Sequence, residues 1–196
     1  ISQIELANVR TIGNAAFIYS RLQTLTIPDS VTRLGSSAFA NCEYITSITI
    51  PVSITSIGVE TFDYCKDLTT INVNSNNTKF TSVDGVLFNK DKTSLILCPN
   101  VKERTSYSVP STVKKIEERA FYGCGYLKSV SFPAGLQEIA DDAFKGCGLT
   151  TVAMGEGINK VGLNAFPYDK IQSVRFYSVA SKNKYKNLFT GAKEIV

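Results

Sequence analysis

Apolar residues recur along this chain at a long fixed interval, not with the short period of a single helix or strand. Aligned on phenylalanine, the register reads Phe17, Phe39, Phe62, Phe121, Phe144 and Phe166, with spacings of 22, 23, 59, 23 and 22 residues. Five positions before each Phe stands an aliphatic residue: Ile12, Leu34, Ile57, Ile116, Ile139 or Val161. One position before it stands Ala16, Ala38, Ala120, Ala143 or Ala165, with Thr61 the exception. Three positions after it, four of the six repeats carry Cys42, Cys65, Cys124 or Cys147. An alternating run follows each anchor, as in Ile45-Thr-Ser-Ile48-Thr-Ile50 and Leu127-Lys-Ser-Val130-Ser-Phe132, and Pro28, Pro51 and Pro133 close three of these runs. Self-similarity at this period marks a repeat architecture.

One period cannot bury its apolar residues alone, so neighbouring periods must stack. The alternating runs, rich in Ile, Val and Thr, predict short strands. The stretch Gly35 to Cys42 and its counterparts predict a helical or 3₁₀ turn too short to stand alone. Val31–Leu34 and Ile54–Ile57 predict a second short extended segment. Stacked in parallel, equivalent strands would bury one column of Phe, Leu, Ile and Val, with coils about 5 Å apart. The expected fold is a slightly curved solenoid of 22–23-residue repeats, short parallel strands joined by short helical turns.

We read one domain with four regions. Residues 1–73 hold the first repeats and 110–176 the later ones. Residues 74–109 form a β-rich insertion, flagged by turn signals at Asp84-Gly85 and over 89–94. In residues 177–196 the motif fades; Ser178 can cap a short helix bearing Val179, Tyr185, Leu188 and Phe189, which would close the last coil. The opening residues show neither a starting Met nor a polar cap, so a fragment of a longer protein is expected.

The line Ile50-Pro-Val-Ser-Ile-Thr-Ser-Ile57-Gly-Val-Glu-Thr-Phe62-Asp-Tyr-Cys65 resembles the leucine-rich repeat of the BspA-like type, and Val113 to Cys124 repeats its register. The resemblance covers nearly the whole chain. It implies a right-handed leucine-rich-repeat solenoid of bacterial and some protist cell surfaces, with members implicated in adhesion to host proteins and other microbes. The motif is structural, so no binding residue comes with it.

Composition narrows the chemistry. The 196 residues include no His and no Trp. Without histidine there is no Ser–His or Cys–His nucleophile pair, no H-E-x-x-H zinc site and no imidazole base. No run approaches a membrane-spanning length. The net charge of +4 is uneven: residues 99–196 carry 14 basic and 9 acidic side chains, against 7 and 8 in residues 1–98. The basic residues scatter, with no aromatic platform between them, so nucleic acid is not an expected partner.

Several features invite a site, each beside a plainer reading. The four register cysteines would form a ladder; about 5 Å permits a bridge, but parallel Cβ vectors do not favour its torsion, so they read as small buried thiols, with bridging the alternative. No C-x-x-C pair exists, and no metal or cofactor is expected. Gly123-Cys-Gly125 and Gly146-Cys-Gly148 sit at one turn of successive repeats and read as turn glycines. Glu117-Glu118 and Asp141-Asp142 could offer oxygen ligands to Ca²⁺ or form a solvated face neutralised by Lys114, Lys115, Arg119 and Lys145. Tyr19, Tyr44, Tyr64, Tyr122, Tyr126 and Tyr168 fall between anchor and strand, as an interface patch or as turn covers. Asn76-Asn-Thr78 fits an N-glycosylation acceptor in a eukaryotic secreted setting.

Side chains alternate along a strand, so the residues flanking each central aliphatic should face outward. These are Thr24, Thr26, Ser47, Thr49, Thr70, Asn72, Ser129, Ser131 and Thr151, continued by Ala153, Ser173 and Arg175. In the horseshoe the resemblance implies, they line the concave sheet as a nearly uncharged hydroxyl ladder. It serves either as a solvated strand surface or as a polar docking face for an extracellular protein or glycan; ice binding is a remote third use, weakened by the uneven Asn, Ala and Arg positions. The functional expectation is a non-enzymatic binding module of an exported or cell-surface, adhesin-like protein. The alternative is a structural spacer or self-associating array, and an enzyme working without histidine ranks last. Oligomeric state and partner identity stay open.

Overall fold

Around Phe17, Phe39, Phe121 and Phe144 alternate backbone N–H groups bond to the next coil, and this pattern organises the fold. The structure is a computed structural model that describes residues 6, 8–189 and 191–195. The chain divides into two compact units, Ile1–Lys92 with Leu97–Pro99 and Thr93–Ile96 with Asn100–Val196. Residues 1–5, where the sequence lacks a polar cap, lie outside the described residues.

The first unit stacks coils on two parallel ladders. Strands β1 (Thr11–Ile12), β2 (Arg33–Leu34) and β4 (Ser56–Ile57) form one, and β3 (Ser47–Ile50) with β5 (Thr70–Val73) the other. An antiparallel hairpin, β6 (Phe80–Val83) and β7 (Val86–Asn89), follows. Its turn is Asp84-Gly85, both left-handed at φ 50° and 76°, which matches the right-handed twist of a two-residue hairpin.

In the second unit, Ser94 and Leu95 of β8 (Ser94–Leu97) pair with β10 (Lys115–Ile116), followed by β12 (Glu138–Ile139) and β14 (Lys160–Val161). The companion ladder runs through β9 (Ser106–Ser108), β11 (Ser129–Ser131), β13 (Thr151–Met154), β15 (Ser173–Phe176) and β16 (Glu194–Ile195). Residues 93–110 thus supply a coil with no Phe anchor. Helix α1 (Val179–Tyr185) starts at Ser178, whose Oγ accepts from the Ser181 N–H at 3.1 Å, and a 3₁₀ turn spans Lys186–Phe189. Tyr185 and Phe189 are buried, while Val179 and Leu188 are exposed. Among the described residues no helix is long and apolar enough to cross a membrane.

The core is the column the repeat demands. Phe39, Phe121 and Phe144 are fully buried, and successive rings stack face to face: Phe17–Phe39 at 5.3 Å and Phe39–Phe62 at 5.8 Å in the first unit, Phe121–Phe144 at 4.6 Å and Phe144–Phe166 at 5.3 Å in the second. Thr61, the exception to Ala before the anchor, is buried with its hydroxyl donating to Gly58 O (2.6 Å) and available to Gly35 O (3.1 Å).

The anchor segments are not helical, contrary to the expected helical or 3₁₀ turn. Two residues before each Phe the backbone is left-handed, at Ala15, Ser37, Glu60, Arg119, Asp142 and Asn164. Two residues after, it is left-handed again at Tyr19, Asn41, Tyr64, Gly123 and Gly146. The N–H groups of Ala15, Phe17 and Tyr19 donate to Ser36, Ala38 and Ala40 of the next coil, while those between them close local turns, as Ile18 N–H to Ala15 O. A helix would spend every N–H inside its own segment. Here alternate N–H groups are committed to the neighbouring coil, so the chain takes consecutive tight turns. Residues 22–27 also depart from expectation: Leu22 and Ile27 are buried, but the run forms no ladder.

Candidate binding face

The hydroxyl positions face outward because the aliphatics between them face in. Ile48 and Ile71, and Val130, Val152 and Val174, are buried, so their strand neighbours project to the other side of each ladder. In the first unit Ser47 pairs in register with Thr70, and Thr49 with Asn72. Ser47, Thr49 and Asn72 are exposed and Thr70 is half-buried. The hairpin covers Thr70: the Gly85 carbonyl accepts the Ile71 N–H at 3.1 Å, and a Cβ on Gly85 would lie 3.3 Å from the Thr70 Cα. Thr24 and Thr26 are exposed but lie outside any ladder, so they are not aligned with Ser47 and Thr49.

The second unit carries the longer array. Ser106, Ser129, Thr151 and Ser173 share one register line, and Ser108, Ser131, Ala153 and Arg175 the next. Ser131 Oγ donates to Ser108 Oγ at 3.1 Å. Ser106 and Ser108 escaped the Phe-anchored register because their coil has no Phe. The signal that finds them is Ser106-Tyr-Ser-Val-Pro110, which matches Ser129-Val-Ser-Phe-Pro133 at a spacing of 23. Arg175 is the one formal charge among these eight residues, and Glu194 continues the first line beyond Ser173.

Charge gathers instead on the opposite ladder. Lys115 Nζ lies 2.7 Å from Glu117 and 4.0 Å from Glu138, and Lys160 Nζ 2.8 Å from Glu138. The Lys160 hydrogen bond holds the Glu138 carboxyl below the ordinary carboxylate range. Of the acidic pairs, Glu117, Asp141 and Asp142 are engaged. Asp142 sits 3.5 Å from Arg119 and 3.2 Å from Lys145, and Asp141 Oδ1 accepts the Leu163 N–H at 2.8 Å. No group of three or more metal-ligating side chains occurs among the described residues.

All five cysteines are buried and unbridged. Burial pushes the Cys65 thiol up to about 12 and raises that of Cys42, so neither is an activated nucleophile. The tyrosines differ in exposure. Tyr19 (72% exposed), Tyr64 (50%) and Tyr44 (41%) are open on the first unit, with the Arg21 guanidinium 5.7 Å from the Tyr44 ring. On the second unit Tyr126 is open, Tyr122 lies under Arg119 at 3.6 Å, and Tyr168 packs edge-on against Phe166 and Phe189. Asn76 is exposed, whereas its neighbour Asn77 is fully buried.

Known proteins share this architecture. The family model described as BspA type leucine rich repeat region matches six copies, over residues 1–104 and 97–195. A leucine-rich repeat protein from Eubacterium ventriosum is similar at 28% identity and a TM-score of 0.76, covering 85% of this chain and 45% of that one. A leucine rich cell surface protein from Faecalibacterium prausnitzii is similar at 27% identity and 0.69, covering 96% and 57%. The pneumococcal vaccine antigen PcpA is similar at 25% and 0.65, covering 85% and 54%. The chain therefore spans about half the length of these solved structures. No curated protein matches it. With its repeat register, its stacked parallel ladders and a family model matched across nearly its whole length, the chain belongs to the BspA-type leucine-rich-repeat family.

Proposed function

We propose that this chain is a non-enzymatic recognition module of an exported or cell-surface protein, and that it docks an extracellular protein or glycan on the outward hydroxyl face of its strand ladders. The observation that carries this reading is the register of Ser106, Ser129 and Thr151 beside Ser108 and Ser131: a flat, repetitive, almost uncharged row of donors and acceptors over a rigid backbone. Such a row can match a polar partner with little ordering cost, because the strands are already fixed by the coils beneath. The cell-surface setting is supported by the Faecalibacterium protein and, as an antigen, by PcpA.

The test is saturable binding of the purified chain to arrayed extracellular-matrix proteins and glycans, at physiological and high salt. A hit that survives high salt, and that Thr49→Lys with Thr70→Lys or Ser108→Lys with Ser131→Lys abolishes, supports the reading. Binding indifferent to all four substitutions overturns the assigned face. Absence of any partner, together with concentration-dependent self-association, replaces the docking module with a structural spacer.

A further inference from the structure

An open groove of about 510 Å³ lies in the second unit, where its lining residues Lys128, Thr150 and Gln172 each precede a residue of the Ser129–Thr151–Ser173 line. Its floor is Gly125, Gly146 and Gly148. Four residues after the anchor, the other repeats carry Arg21, Glu43, Lys66 and Lys170; only here does Gly125 or Gly148 stand. Two residues after it, Gly123 and Gly146 stand where Tyr19, Asn41, Tyr64 and Tyr168 stand elsewhere. At Gly125 the missing side chain leaves open space, since a Cβ there would meet nothing closer than 3.9 Å, whereas Gly148 seats tightly on the Gly125 carbonyl, where a Cβ would lie 2.2 Å away.

The rim is cationic. Lys128, Thr150, Gln172 and Lys193 form one wall, each N–H from Thr150 onward donating to the carbonyl of the residue before it in the stack, at 2.8–3.0 Å. Lys128 Nζ leans over the floor, 3.3 Å from Gly125 O. Lys170 and Asp169 also line the groove. Three lysines thus face one carboxylate, and among the described residues neither Lys170 nor Lys193 has an ion-pair partner. Lys128 and Lys193 are three coil steps apart, about 14 Å. The bulkiest apolar lining residue, Ile171, is itself buried, so the groove offers no apolar socket of the kind that anchors peptide side chains.

We propose that this groove binds an anionic glycan: a carboxylated or sulfated oligosaccharide whose hydroxyls lie on the glycine floor and whose charges meet Lys128, Lys170 and Lys193. It borders the Ser129–Thr151–Ser173 line but rests on the lysines and not on those hydroxyls, so its failure is distinguishable from failure of the proposed hydroxyl face.

Titration calorimetry on the full chain tests it, with a heparin tetrasaccharide, neutral cellotetraose and an oligoglutamate peptide as probes, at about 0.15 M salt. Saturable binding of the heparin tetrasaccharide alone is expected. Lys128→Ala, Lys170→Ala and Lys193→Ala together should weaken it at least about tenfold, whereas Lys79→Ala, Lys90→Ala and Lys102→Ala, an equal loss of charge elsewhere, should change it less than about threefold. Gly125→Glu should abolish binding without moving the unfolding midpoint, since a Cβ there meets nothing closer than 3.9 Å and Glu43 occupies the equivalent position. Equal losses in the two triple variants, wild-type binding by Gly125→Glu, or oligoglutamate binding as tight as the saccharide would each overturn the proposal.

Discussion

The Sγ of Cys147 donates to the carbonyl oxygen of Phe121, one coil back, at 3.0 Å. The same contact recurs from Cys65 to Phe39 at 3.2 Å and from Cys42 to Phe17 at 3.1 Å. Each of these carbonyls also accepts the local N–H three residues on, as Phe121 O does from Cys124 N–H at 3.1 Å. The thiol supplies the second bond of a buried oxygen while filling a site small enough for stacked coils. The register cysteines are thus hydrogen-bonding core residues.

Alkaline pH should expose this role. The Cys65 thiol, raised by burial to about 12, keeps its proton in the folded state where the unfolded chain ionises from about 8.5 upward. The unfolded state then binds fewer protons, so stability falls as pH rises through that window, by up to about 1.4 kcal/mol per pH unit for this thiol, and is complete below it. Urea midpoints from pH 8 to 10.5 should decline more steeply in the wild type than in Cys65→Ala. Parallel curves would remove the thiol from the account.

Close coil contact should make two glycines of one register position behave differently. A Cβ on Gly35 would lie 2.5 Å from the backbone nitrogen of Asn14, which cannot move without breaking the ladder, and Gly35 N–H donates to Ile12 O at 2.8 Å. Gly13, one coil earlier, meets nothing within 4 Å. Gly35→Ala should destabilise by roughly 1–3 kcal/mol, and Gly13→Ala by less than about 0.5 kcal/mol. Equal midpoints in urea unfolding would contradict the packing.

Asn77 closes the coil before the hairpin. It is fully buried; Nδ2 donates to Pro51 O (2.7 Å) and Ile54 O (3.0 Å), while Oδ1 accepts from the Lys79 and Phe80 N–H groups, both at 2.8 Å. Asn77→Ala strands these buried partners and should cost at least about 2 kcal/mol. Asn77→Asp should fare no better, since it turns a carboxylate oxygen toward two carbonyls. Exposed Asn76→Ala is the control, with a loss under about 0.5 kcal/mol expected in thermal unfolding.

Much of this was legible before any coordinates, and the boundary is physical. The Phe register, the buried Ala and Cys columns, the alternating strands and the Asp84-Gly85 turn each follow from a repeated local requirement, to bury one face or adopt one rare dihedral. The shape of the anchor turns does not. Ala15, Ser37 and Arg119 carry no common glycine signal, yet all are left-handed where the neighbouring coil claims alternate N–H groups.

The chain's own pattern determined that it would be a stack of 22–23-residue coils, which residues would form the core, and which hydroxyls would leave it. Tertiary structure decided the rest. It aligned Ser106 and Ser108 with Ser129 and Ser131, left Thr24 and Thr26 out of register, covered Thr70 with a hairpin and opened a lysine-rimmed groove over a glycine floor. Burial is a property of each residue's chemistry and can be read one position at a time. Register, coverage and concavity depend on which coils become neighbours, and exist only once they have stacked.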